Sequence, residues 1–245
     1  MNLSLYVMIA AAFLLAGFVK GIIGGGLPTI AIGLLGGLIA PAQAAALILL
    51  PSFITNIRQC TGAGFVPLVR RIWVLLLGIC AGAWFGAGIL TGADSGRARA
   101  ALGLALIVYA LFGLSRLRFH LSRRSEKWWA LPVGLMTGAV SAATGVFVIP
   151  SGPYLQAIGL TKDALVQALG LTFTVATVAL GVTLAKGGFV QTSILWPSML
   201  ALAAALTGMA MGQRVRGLMR EETFLTLFFV GLLLLGVELA VRAFF

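Results

Sequence analysis

Apolar residues in this chain do not alternate with polar ones; they run on without interruption. Such stretches cover about Leu3 to Phe18, Ile72 to Leu90, Ala98 to Leu114, Trp128 to Ile149, Ala164 to Leu184, Ile194 to Met211 and Phe224 to Val241. Most approach the ~20 residues that an α-helix needs to cross ~30 Å of hydrocarbon. A transmembrane barrel would instead show strands of roughly ten residues with alternating polarity. The pattern predicts an all-α polytopic membrane protein with about 8–10 membrane segments. The first run lacks a basic leader and a small-residue cleavage site before a polar chain, so it reads as a retained helix.

Two shorter stretches break the pattern. Leu27 to Ile39 would span only about 20 Å as a helix, and the glycines Gly24, Gly25 and Gly26 precede it. Val146 to Gly159 contains Pro150 and Pro153 and comes after "SAATG". Both read as short, broken or re-entrant pieces. The punctuation recurs in order: Gly17 and Gly21 reappear as Gly134 and Gly138, "PAQAAALILLPSF" aligns with "TKDALVQALGLTF", and Gly82 and Gly86 reappear as Gly208 and Gly212. An ordered series of this kind indicates duplication. It predicts a first transmembrane repeat over residues 1–118, a basic cytoplasmic connecting loop over 119–127 and a second repeat over 128–245. Five segments per half place more basic residues on the loop side than four would. The positive-inside tendency therefore favours two inverted repeats, each with a broken or re-entrant helix pair, and both termini outside.

Composition sharpens this picture. The 245 residues are 60% hydrophobic and 9% charged, far from the roughly one quarter charged of soluble domains. A net charge of +11 concentrates in "SRLRFHLSRRSEK" and similar short loops, where it orients helices against the bilayer, so no nucleic-acid partner is expected. One histidine and six acids leave little material for acid–base catalysis, and no nucleophilic or metal-ligating constellation is present, so neither an enzyme nor a cofactor is expected. Cys60 and Cys80 read as packing residues, and Glu238 as an interfacial partner of Arg242.

The candidate chemistry lies at the two breaks. Backbone freed from helical bonding is tolerated at membrane depth only where it faces protein or a watery cavity. A half-helix starting near Pro28 would aim its amides and positive dipole end at that cavity, which suits an anion. Ser141, Thr144 and Gly145 stand at the second break, so two half-helix N-termini could converge on one site. Close helix packing is the alternative use of these glycines. Lys20, one turn before the first break, either snorkels to the headgroups or holds an anion. Ser52, Thr55, Asn56 and Gln59 come after the first break, and Gln167, Thr172, Thr174 and Thr177 after the second. These groups either hydrogen-bond oxyanion oxygens or bridge helices. The glycine pairs at 82/86 and 208/212 read as packing faces, and Arg58 as a topological anchor.

"GFVKGIIGGGLPTIAIGLL" with "APAQAAALILLPSFITNIRQ", and "GLMTGAVSAATGVFVIPSGPYLQAIGLTKDALVQALGLTFTVATVAL", resemble the two repeats of the TauE/SafE family of bacterial sulfite and organosulfur-anion exporters. The resemblance implies a multi-pass protein of the bacterial plasma (inner) membrane that exports a small anion such as sulfite or a sulfonate by alternating access. An anion channel and a non-transporting membrane scaffold subunit are the alternatives. Carried onto this chain, Gly24, Gly25, Gly26, Asn56 and Gln59 match the first repeat motif and Thr144, Gly145, Pro150 and Gln167 the second, and the resemblance implies substrate-binding roles for all of these but Pro150. Lys20 and Thr172 join them from the reading of the residues. The implied partners are a sulfite-like anion and the lipid bilayer, with proton or ion coupling and a homodimer left open.

Overall fold

The computed structural model describes residues 3–61, 64–91, 95–115, 119–215 and 221–244. Among these the chain forms ten α-helices and one short 3-10 turn, and no strand. The helices are α1 (Leu3–Ile23), α2 (Leu27–Gly36), α3 (Pro41–Cys60), α4 (Phe65–Thr91), α5 (Ser95–Leu114), α6 (Arg123–Thr144), α7 (Ser151–Ala157), α8 (Lys162–Lys186), α9 (Leu195–Val215) and α10 (Glu221–Phe244). Six stretches of described helix are long and apolar enough to cross a membrane, in α1, α4, α5, α8, α10 and in α9 with the turn before it. With 20 and 22 residues, α3 and α6 also have the length. They carry more polar residues, and much of this polarity is turned inward, including Asn56 and Ser52 of α3 and Thr137 and Ser141 of α6.

Local chemistry fixes the helix ends. Proline occupies the first turn of both α2 and α3, where its missing N–H costs nothing. The Ser122 hydroxyl accepts from the Ser125 amide to open α6, and Thr161 accepts from the Ala164 amide to open α8. The connecting segment expected over 119–127 is therefore helical from Arg123 onward. Arg116, Arg118, Arg216 and Arg220 lie outside the described residues.

The two breaks share one device. Gly24 and Gly145 each sit at positive φ, 79° and 75°, and each amide bonds back to the carbonyl four residues earlier, on Lys20 and Ser141. A left-handed residue ends a helix this way, and only glycine adopts it without strain. "SAATG" is thus as effective a terminator as the triple glycine. The long apolar run expected from Trp128 to Ile149 stops being helical at Thr144 for this reason. Beyond the terminating glycine the halves diverge. After the first break α2 starts within three residues and runs for 10. After the second, the chain passes through a turn with a cis Ile149–Pro150 bond into α7, which has only 7 residues.

The main helix interfaces exchange the halves. α1 packs along α9 and α6 along α4, while α3 faces α8 and α5 faces α10. Glycines set the first two interfaces. A β-carbon added at Gly17 would fall on the Ala205 carbonyl, and one at Gly208 on the Leu14 carbonyl. In the other pair, Gly82 and Gly86 meet the Leu135 and Ala139 carbonyls, while Gly134 and Gly138 meet those of Leu75 and Ile79. Small residues at helical spacing let backbones touch where lipid offers no hydrophobic drive for association.

The contacts also give direction. Going up α1 from Gly17 to Gly21 moves the contact up α9 from Ala205 to Met209, so these helices run parallel; α4 and α6 do likewise. Along α3, in contrast, Leu49 lies by Gly181, Gln59 by Gly170, and the Cys60 carbonyl by Gln167, so α3 and α8 run antiparallel. α5 and α10 are antiparallel too, with Gly103 against Ala240 and Gly113 against Phe229.

Large apolar side chains point outward, among them Trp84, Phe85, Trp128 and Leu234, each about two thirds exposed or more. This is the surface of a protein whose solvent is lipid. Near the start of α6, Arg71 holds Glu126 through paired bonds of 2.7 and 2.9 Å and also donates to the Ile158 carbonyl at the end of α7 (2.7 Å). Tyr154 of α7 donates to the Glu126 carbonyl at 3.0 Å, so α7 is tied to α4 and α6. Arg242 pairs with Glu238 at 2.7 Å on an exposed face of α10, as the spacing predicts.

Substituting alanine at Gly82 or Gly208 forces two backbones apart and is expected to destabilise the protein by about 1–3 kcal/mol, the usual range for overpacking. Gly231, with nothing within 4 Å of an added β-carbon, serves as the control. Thermal unfolding in detergent should show lowered Tm for the first two variants and an unchanged Tm for Gly231→Ala.

Candidate functional site

Lys20 does not snorkel. It is 1% exposed, among the largest fully buried side chains, and its Nζ donates to Thr55 Oγ1 at 3.0 Å and to Asn56 Oδ1. Two features of α3 place those acceptors. Thr55 and Asn56 lie one turn beyond Pro51, which is inside the helix and cannot donate an amide to the turn before it. The Thr55 hydroxyl donates to the Pro51 carbonyl at 2.7 Å, which turns its lone pairs toward the lysine. Asn56 in turn donates at 3.5 Å to Thr177 of α8, whose hydroxyl is anchored on the Phe173 carbonyl at 2.6 Å. A chain of polar groups thus links α1, α3 and α8 through the core.

Among the described residues no carboxylate pairs with Lys20; Glu126 is engaged by Arg71 and Glu238 by Arg242. Two neutral oxygens orient the ammonium without neutralising it. A buried cation in that condition is normally paired or placed for a function, since taking an ion from water carries a penalty of several kcal/mol.

The first break lies beside this cluster. Gln59 donates to the Gly24 carbonyl at 2.7 Å, joining the end of α3 to the end of α1. Gly26 caps α2 at φ 89°, its carbonyl receiving the Ile30 amide at 3.0 Å. Among the described hydrogen bonds, the amides of Gly25, Gly26 and Leu27 have no protein acceptor. They form the positive end of α2, buried inside the protein.

The second break approaches from the other half. The Phe147 ring lies 6.3 Å from that of Phe173, and a β-carbon on Gly25 would sit 3.6 Å from the same Phe173 ring. Both breaks therefore meet on Phe173, which is 1% exposed. They are not mirror images. The Thr144 hydroxyl is used inside its own break, donating to the Val140 carbonyl (2.7 Å) and accepting from the Val146 amide (3.1 Å). Gly145 packs against Ile32 and Ile48, and α7 is too short to present a helix end comparable with that of α2. The symmetric pair of N-termini expected from the sequence is replaced by a single one.

The remaining candidates fall in place around α3 and α8. Gln167 donates to the Cys60 carbonyl at 2.8 Å and so bridges helices. Cys60 Sγ lies 3.5 Å from Thr174 Oγ1, in keeping with a packing role. Thr172 and Ser52 of α3 are fully buried and, among the described residues, their hydroxyls have no hydrogen-bond partner; nor does the buried Oε1 of the half-buried Gln59. Ser52 and Thr172 occupy matching positions in "PSF" and "LTF" of the duplicated stretch. Each of these oxygens is left with capacity for a further hydrogen bond, the two hydroxyls as donor or acceptor and the Gln59 oxygen as acceptor. Phe173 is the participant that residue type alone did not mark. Phe173 carries no sequence signal beyond lying one residue after Thr172.

Two cavities open elsewhere. One, of about 950 Å³, lies among the starts of α4, α6 and α8 and the end of α7; the other, of about 690 Å³, lies between α4 and α8. Residues of the breaks line neither of them, and Lys20, Thr55 and Asn56 are each buried to within 1% of full enclosure.

A lipid-facing exterior, helices that stop and restart inside the protein, and a buried cation at that point define a multi-pass membrane protein of the transport class. The sequence profile of the sulfite exporter TauE/SafE family matches residues 9–239, and the chain belongs to that family of membrane transporters. No curated protein and no solved structure matches it significantly.

Removing the acceptor while keeping the cation should be worse than removing both. Asn56→Leu is expected to lower the unfolding free energy by about 1–3 kcal/mol, and adding Lys20→Met should recover part of that loss. A double-mutant cycle by denaturant unfolding in detergent reads the coupling. Additivity within about 0.5 kcal/mol would mean that the two side chains do not interact.

Proposed function

We propose that the protein is a secondary transporter that exports a small oxyanion, sulfite or a related sulfonate, across the bacterial inner membrane. The observation that carries this reading is the Lys20 ammonium, buried and, among the described residues, held only by the neutral oxygens of Thr55 and Asn56. An anion entering the core would supply the missing charge. The free amides at the start of α2 and the unpartnered hydroxyls of Ser52 and Thr172 offer donors for its oxygens. Donors of this kind fit an oxyanion carrying several acceptor oxygens and no donors of its own.

The proposed machine has two inverted repeats, residues 1–118 and 128–245, joined through 119–127. The antiparallel α3/α8 and α5/α10 pairs and the parallel α1/α9 and α4/α6 pairs support inversion, because repeats related by an axis along the membrane normal would set α3 and α8 parallel. Alternating access then moves one set of helices against the other around the Lys20 cluster. The enclosure of that cluster favours a carrier over a channel, since the site reaches water only when helices move. A scaffold subunit has no use for an unpaired internal cation.

The test is flux of labelled sulfite in proteoliposomes. Wild-type protein should give saturable uptake, and Lys20→Met should lower it at least about tenfold, equivalent to about 1.4 kcal/mol. Arg58→Gln, at an exposed position on the same helix as Asn56, should retain it. Undiminished saturable flux in folded Lys20→Met protein would remove the basis of this reading, and flux that never saturates would replace the carrier with a channel.

A further inference from the structure

The 950 Å³ cavity at the starts of α4 and α6 belongs to neither the Lys20 cluster nor the breaks, and its walls carry a separate chemistry. Arg70, Arg71, Arg123 and Lys127 line it, with Glu126 the only acid among the lining residues. Arg71 and Glu126 neutralise each other through their paired bonds. Arg70, Arg123 and Lys127 are exposed and, among the described residues, have no hydrogen-bond or ion-pair partner. The cavity therefore presents three uncompensated cations.

The rest of the wall is apolar or aromatic: Trp73, Pro67, Leu68, Val74 and Leu160. Trp73 is 53% exposed, and Trp128 and Trp129, next to Lys127 in sequence, are 77% and 55% exposed. Tryptophan collects at the headgroup level of a bilayer, with its ring in the apolar zone and its N–H toward water. The volume far exceeds what a four- or five-atom oxyanion needs, and a lining that combines three cations with Trp73 and apolar side chains matches a ligand with an anionic head and a hydrocarbon body. Basic pockets between transmembrane helices on the positively charged side of a membrane protein suit such headgroups.

We propose that this cavity binds the phosphate headgroup of an anionic phospholipid, with Arg70, Arg123 and Lys127 on the phosphate and the acyl chains along Trp73. The neutral Arg71–Glu126 pair forms the floor and joins the site to α7 through the Ile158 and Glu126 carbonyls. A bound lipid would brace the contact of α7 with α4 and α6. The proposal is independent of what the protein transports.

The test uses the purified full-length protein in a neutral detergent. Phosphatidylglycerol, phosphatidylcholine of the same chain length and inorganic phosphate are titrated separately while thermal unfolding is monitored. Phosphatidylglycerol should raise Tm by several degrees and phosphatidylcholine should not. The variant Arg70→Gln/Arg123→Gln/Lys127→Gln should need at least about tenfold more phosphatidylglycerol for the same shift, whereas Arg124→Gln, exposed but outside the cavity, should behave as wild type. If the triple variant does not fold, Arg123→Gln alone should show a smaller loss in the same direction. An equal shift from phosphatidylcholine, or an undiminished response in the folded variants, overturns the proposal. A full shift from inorganic phosphate at matched concentration assigns the site to a free anion instead, and equally overturns a lipid site.

Discussion

An ammonium group taken into a protein interior loses the water that stabilised it, and the surrounding atoms must replace that water. At Lys20 they do so only in part. Thr55 and Asn56 satisfy two of its three protons with neutral oxygens, and their own orientation is fixed in turn by the Pro51 carbonyl and by Thr177. The site around the first break depends on this incomplete replacement. It ties the end of α1 to α3 and α8 and leaves a positive field where α2 begins with unbonded amides. Negative charge is the one component the arrangement lacks.

The frame around this centre is joined through backbone contact instead of interlocked large side chains. Across α1 and α9, Gly17 lies on Ala205, Gly208 on Leu14 and Gly21 against Gly212; across α4 and α6, Gly78 lies against Gly134, with Gly82 and Gly86 on Leu135 and Ala139. Both seams join one half of the chain to the other. Smooth glycine faces hold helices close while offering few side chains that must disengage if the helices slide.

Much of this was legible in the sequence because hydrocarbon imposes strong rules. Uninterrupted apolar runs gave the helices, Gly82/Gly86 and Gly208/Gly212 read as packing faces, and the recurrence of Gly17/Gly21 as Gly134/Gly138 marked the repeat. The sequence could not show that the seams pair across the halves, Gly17 with α9 and not with its neighbours in sequence, because spacing carries no information about partners. The second break was visible through Gly145 and Pro150, but the length of α7 was not, since Val146–Ile149 is as apolar as a helix would be. Lys20 could be marked as unusual from its place alone. Its burial was undecided, because a lysine one turn from a helix end can reach the interface or turn inward, and the choice rests on Thr55 and Asn56, 35 and 36 positions away. Phe173, where the breaks meet, looks like any other apolar residue of α8.

The two half-helices are fastened differently. α7 is staked to its neighbours by Arg71 and Tyr154, whereas α2 rests on apolar contacts such as Gly33 against Leu235 and Gly36 against Leu102. Sliding α2 breaks only dispersion contacts, which re-form after each small step; sliding α7 breaks charge-assisted bonds that are either made or lost. The two halves of the chain thereby differ in stiffness at their breaks: α2 is a soft jaw and α7 a hard one, so displacement begins more readily at the first break than at the second.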